Sequence, residues 1–176
     1  MKKNRYEVKT QNTMLYIMLG SMTVLCLYLS YIVPVVGFLF YILSSFFVMG
    51  VLADEKPLAA VILFLVVSGV TLIILPIPRA LPYIMFFGHY GIAKYFFDKI
   101  RDKLIRPIAK FLYFNAFCAL IYFLTIATGY IDLGELISLP IWAIILILQP
   151  CFFVYDLLLG FFLKTYKDVW EKRLMQ

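Results

Sequence analysis

The residues able to do chemistry in this sequence are few, and two of them share one apolar stretch. Leu81–Asp98, LPYIMFFGHYGIAKYFFD, carries the only histidine of the chain, one lysine and a Gly88-x-x-Gly91 pair. Titratable groups within a bilayer are costly to keep there, so each such residue is a functional candidate by default. On a helix of about 100° per residue, Tyr83, Phe87, Tyr90 and Lys94 fall on one stripe. His89 falls roughly 120–140° away, beside Pro82, Phe86 and Ala93, so it need not share a cavity with Lys94. His89 is open to three readings: a packed, hydrogen-bonded side chain, a ligand contact, or a proton-coupling group. Lys94 either snorkels to the inner headgroups or meets an opposite charge. The glycine pair reads as close helix packing.

The other polar groups inside apolar runs are Asn115, Gln149 and Asp156. Trp142, Gln149 and Asp156 recur every seven residues, nearly two turns, and share a face with Gly160. At about 1.5 Å per residue, His89 and Gln149 lie about 13–14 Å from the outer end of their spans, near mid-membrane. Lys94 and Asp156 lie deeper, at about 21–24 Å, toward the inner face. Their matched depth leads us to expect the two charges to approach each other inside the bundle, with Asn115 adding a hydrogen bond.

Catalysis has little to stand on. Zinc patterns need two or three histidines and the chain has one. Nucleophile elbows, phosphate-binding loops and dinucleotide fingerprints are missing. The expectation is a non-enzyme with no cofactor and no metal. Cys26, Cys118 and Cys151 sit in apolar runs without paired spacing, as small buried hydrophobes would.

These residues must be positioned by an unusually apolar chain. Of 176 residues, 64% are hydrophobic and 18% aromatic, with a mean hydropathy of +0.95. A globule of this size could not hide so much apolar surface. A span takes about 20 mostly apolar residues, and the sequence divides into six: about 14–33, 35–53, 58–75, 81–97, 108–129 and 140–164. We therefore expect a single all-α membrane domain over residues 1–176. The run from Met14 is of full span length, so the first helix is read as retained rather than as a cleaved signal. Pro34, Pro57 and the Pro76–Pro82 segment mark turns. Asp98–Lys110, DKIRDKLIRPIAK, reads either as a helix on the membrane surface or as a solvated basic loop.

The net charge of +6 lies at the ends of apolar runs, which points to membrane orientation and away from nucleic acid. With the N-terminus in the cytoplasm, 15 of the 16 Lys+Arg fall on the inner side, and Arg79 is left alone outside. This asymmetry predicts six spans with both termini cytoplasmic in a cell membrane. The outer side would then offer Tyr31, Arg79, Tyr83, Tyr130, Asp132, Glu135 and Trp142. A solute captured there would meet Arg79, Tyr83, His89, Asp132, Glu135, Trp142 and Gln149. On the first helix, Gly20, Thr23, Cys26 and Ser30 form a small-residue stripe that would admit a second helix closely, from within the chain or from a partner subunit.

In length, six-helix topology, internal termini, a small-residue stripe on the first helix and the VPVVG turn after it, the chain resembles the substrate-binding S components of energy-coupling-factor vitamin transporters. The resemblance implies capture of a small vitamin-like solute from outside and delivery through a transmembrane coupling subunit and its ATPases. It also implies that the first-helix stripe docks on the coupling subunit. MreD-like proteins of cell-envelope assembly look similar at this level, which keeps a non-catalytic membrane scaffold as the alternative. In either case the lipid bilayer is a partner.

Overall fold

The computed structural model describes residues 2–53, 56–128 and 141–174. Every described element is helical: α1 (Lys2–Ile32), a 3-10 turn (Pro34–Val36), α2 (Gly37–Ala53), α3 (Pro57–Ile74), α4 (Ile77–Pro82), a π-helical turn (Tyr83–Phe87), α5 (Gly88–Asp98), α6 (Ile105–Thr128) and α7 (Ile141–Leu174). Among the described residues, three stretches are long and apolar enough to cross a membrane: Thr13–Ile32, Pro57–Ile74 and Leu146–Tyr166, with mean hydropathies of 1.8, 2.7 and 1.9. Only 28%, 28% and 17% of them is buried within the protein. Side chains such as Ile17, Ile62, Ile73, Leu157 and Phe161 point outward. Outward-facing apolar surface on this scale suits a lipid environment.

The shortest of the apolar helices is the central one. α2 packs against α1, α3, α5 and α7, and Tyr41, Ser44, Ser45, Val48, Met49, Val51 and Leu52 are all buried on it. Glycines set its distance from two neighbours. A Cβ at Gly37 would lie 2.9 Å from the Ser30 carbonyl oxygen, at the turn from α1 into α2. A Cβ at Gly91 on α5 would meet the Met49 side chain at 3.0 Å.

The proline-rich segment expected to be a turn is helical instead. Pro76 caps α4, its carbonyl accepting the N–H groups of Arg79 and Ala80, and Pro78 sits in the first turn, where a missing N–H costs nothing. Pro82 lies inside the run and cannot bond the carbonyl four residues back. The chain absorbs this by widening into the π turn, where Gly88 N–H donates to the Tyr83 carbonyl five residues earlier. The helix thereby continues through residues 77–98 without a break.

Between α5 and α6 the basic segment forms a turn over residues 99–104. The surface helix considered for it is not formed there. α6 begins at Ile105, with Pro107 in its first turn. Both ends of the chain extend the expected spans as continuous helix, from Lys2 into α1 and to Leu174 in α7, the latter passing through Pro150.

Candidate functional site

α5 presents Tyr90, Lys94 and Asp98 one turn apart on a single face. α6 adds Lys110, one turn in from Arg106, and α7 adds Asp156, one turn before Gly160. The three helices bring these groups into one cluster. Lys94 Nζ lies 2.5 Å from Asp156 Oδ1, and the Tyr90 hydroxyl donates to the same oxygen at 2.7 Å. Lys110 Nζ donates to Asp156 Oδ2 at 3.2 Å and stands 2.7 Å from Asp98 Oδ1. Lys94 is also 3.7 Å from Asp98 Oδ2.

Two lysines and two aspartates balance formally, and their burial makes the balance necessary. Lys94 is 3% and Lys110 8% exposed, so little water can solvate either ammonium and carboxylates must do it. Gly160 borders the lane that Lys94 takes over α7: a Cβ there would sit 3.6 Å from Lys94 Nζ, an ordinary contact. Aromatic rings wall the cluster off from the rest of the bundle. Phe114 and Phe152 stack with centroids 4.3 Å apart, and Tyr90 packs edge-on to Phe152 at 5.3 Å. Tyr155 then links the wall to α2 by donating to Ser45 Oγ at 2.7 Å. The Ser45 hydroxyl in turn reaches the Phe87 carbonyl at 2.9 Å.

The cluster opens on a cleft of about 180 Å³ between α6 and α7, lined by Arg106, Pro107, Lys110, Phe152, Phe153, Asp156 and Leu157. With three donors on its two oxygens, Asp156 can exchange partners without being left alone. Among the described residues, no group of three His, Cys, Asp or Glu is placed to hold a metal ion.

The remaining candidates are distributed elsewhere. Asn115 does not serve the lysine–aspartate pair. Its side-chain amide donates to the Phe111 carbonyl at 2.8 Å, and its oxygen accepts from Gln149 Nε2 at 2.9 Å. The reason is angular: equal depth on neighbouring helices brings two side chains together only if their faces also meet. Tyr113 hydrogen-bonds His89 Nδ1 at 3.0 Å, and the His89 ring packs on Phe64 and Phe117. Tyr83 is fully buried against Phe64 as well, so Tyr83 and His89 share a neighbour. The Arg79 side chain is exposed, while its carbonyl accepts from the Tyr41 hydroxyl at 2.6 Å. The described outer-side candidates thus do not converge on one pocket. Tyr130, Asp132 and Glu135 lie outside the described residues, as does the side chain of Trp142 in α7.

The small-residue stripe of α1 faces inward. Thr23, Cys26 and Ser30 are 0%, 4% and 1% exposed, and a Cβ at Gly20 would strike Leu63 of α3 at 2.8 Å. The chain's own α2 and α3 cover the face that was open to a partner subunit, because a bundle gains most where its small residues let helices touch. Gly88 does the same on α5, with the Phe64 ring 2.6 Å from its virtual Cβ. Of the cysteines, Cys26 is buried and Cys118 half-buried, but Cys151 is exposed on α7.

Sequence reasoning placed Lys94 opposite Asp156 but missed Tyr90, Lys110 and Asp98 as members of the same cluster. Tyr90 lies on the Lys94 stripe, which was the available signal. Pro107 was the signal for Lys110, since a proline that opens a helix puts the residue three later inside it. No family model matches the chain, and no curated protein or solved structure shows significant similarity to it.

Proposed function

We propose that this chain is the membrane-embedded solute-binding subunit of an energy-coupling-factor-type transporter, with six spans and both termini in the cytoplasm. The observation that carries the reading is the cluster of Lys94, Lys110, Asp98 and Asp156, held among apolar helices and open to a cleft. Ionisable groups kept at such cost inside a bundle mark solute and ion pathways. The basic asymmetry supports the orientation. No ATP-hydrolysing motif is encoded, so energy would come from partner subunits, and the solute would be a small vitamin-like molecule. Because the α1 stripe is internally covered, the coupling subunit would dock on an outward apolar face instead.

A second reading, a scaffold of a cell-envelope assembly, is favoured by the mutual pairing of the cluster, which suits a structural clamp equally well. Two experiments decide. Single cysteines replacing Asp132 and Lys103 in a cysteine-free background should label from opposite sides of intact cells; labelling of both from outside rules out the six-span arrangement. Gentle purification of the full chain should recover a coupling subunit with its ATPases, and native mass spectrometry should find a bound solute. Recovery of wall-synthesis or cytoskeletal proteins in their place would support the scaffold.

A further inference from the structure

The cleft between α6 and α7 is not explained by the charge-paired cluster behind it. Asp156 at its floor is already matched by Lys94, Lys110 and the Tyr90 hydroxyl. Arg106 at its rim brings a positive charge that no carboxylate answers among the described residues. Arg106 Nη2 donates to the Ile100 carbonyl at 2.9 Å, while its Nε is buried without a hydrogen-bond partner among the described residues. Arg106 is half-buried and lines the cleft, so its remaining accessible N–H groups, not the enclosed Nε, are the ones that call for an anionic acceptor there. With two aspartates, two lysines and this arginine, the region carries one net positive charge.

The opposite wall is apolar and outward-facing: Phe153 is 49% and Leu157 71% exposed. A ligand that satisfies both walls needs an anionic, oxygen-rich head and a long apolar body. We propose that this cleft is a binding site for an anionic phospholipid, its phosphate at Arg106 and its acyl chains along Phe153 and Leu157. The turn that precedes α6 carries Lys99, Arg101 and Lys103 against Asp102 alone, an excess of two positive charges next to the cleft in sequence, the pattern expected of a protein surface that selects acidic lipid. The site requires that the chain reside in a membrane. It does not depend on whether the protein binds a solute.

The test uses the full-length protein, delipidated in mild detergent and exposed to mixed micelles of phosphatidylglycerol and phosphatidylcholine. Bound lipid is counted by native mass spectrometry. Wild-type protein should retain phosphatidylglycerol preferentially. Arg106→Gln should cut that preference about fivefold, the value of roughly one basic residue near an acidic lipid surface. Lys103→Gln, exposed and off the cleft, should change it less than Arg106→Gln does. Leu157→Gln, at an outward position that leaves the core packing intact, should lower retention of both lipids; it keeps the test decisive if Arg106→Gln fails to fold. Millimolar inorganic phosphate should not displace the lipid. Equal retention of the two lipids, unchanged retention in Leu157→Gln, or displacement by phosphate alone would overturn the assignment, the last by showing a site for a free anion.

Discussion

The two sides of the bundle satisfy their polar groups in opposite ways. In α1, α2 and α3 the hydroxyls turn back on their own helix: Thr23 donates to Leu19 at 2.7 Å, Ser30 to Leu27 at 2.6 Å, Ser44 to Tyr41 at 2.6 Å and Thr71 to Val67 at 2.6 Å. Apart from Tyr41 and Ser45, which reach the Arg79 and Phe87 carbonyls, these hydroxyls stay within their own helix, and contact between helices is mainly a matter of small residues meeting large ones, as Gly20 meets Leu63. In α5, α6 and α7 the polar groups reach across: Lys94 and Tyr90 to Asp156, Lys110 to Asp98 and Asp156, Gln149 to Asn115. Ser45 on α2 joins the two sides through Phe87 and Tyr155. Self-satisfied helices are positioned by shape alone, whereas cross-bonded helices are also fixed in rotation, because each donor must find a particular acceptor. The difference bears on the proposed function: among the described residues, the charges paired between helices, whose partners could be exchanged for a ligand, lie on the cross-bonded side.

The comparison breaks most readily at Asp156. Asp156→Leu leaves two lysines sharing Asp98, and the loss should be about 3–5 kcal/mol, the usual cost of stranding one member of a buried ion pair. Lys94→Met alone should also destabilise. The double variant should cost less than the two single losses added together, since Lys110 and Asp98 remain as a neutral pair. Thermal unfolding in detergent measures the cycle, and additive effects would dissolve the distinction between the two sides.

Where α5 meets α3 of the shape-packed side, the equivalent blow is steric. Gly88→Ala puts a methyl group against the Phe64 ring, and the repacking should cost about 1–3 kcal/mol, with no change in charge dependence. A salt titration of the melting temperature separates this from the ionic variants.

Tyr90→Phe removes one of three donors to Asp156. Because two ammonium groups remain, we expect a loss of only about 1 kcal/mol, below the usual range for a hydrogen bond to a charged group. A loss as large as that of Asp156→Leu would mean that the phenol, not the lysines, holds the carboxylate in place.

The smallest effect should be at Gly160. The added methyl makes ordinary contact with Lys94, and alanine favours helix over glycine by roughly 0.8–1.0 kcal/mol. Gly160→Ala should therefore leave stability within about 1 kcal/mol of wild type. A drop matching that of Gly88→Ala would show that the lane over α7 is tighter than the Lys94 contact implies.

The sequence by itself determined what depends on local order. Runs such as Leu58–Leu75 are helical because their length and hydropathy allow a chain in lipid little else. Rise per residue was enough to set Lys94 and Asp156 at one height. Tertiary structure alone decided rotation and neighbourhood. In helices apolar on every side, hydropathy hardly distinguishes one face from another, so nothing local says whether Gly20 and Ser30 look inward or toward a partner. Asn115 shows the same gap: its height matched the charged pair, but its angle on α6 turned it to Gln149. Lys110, which reads in the sequence as one more basic residue setting orientation, became part of the cluster because α6 starts at Ile105 and carries it a full turn into the bundle. Angles between faces are settled by contacts far apart in the chain, as Tyr155 on Ser45 illustrates, and those contacts exist only once the helices have packed.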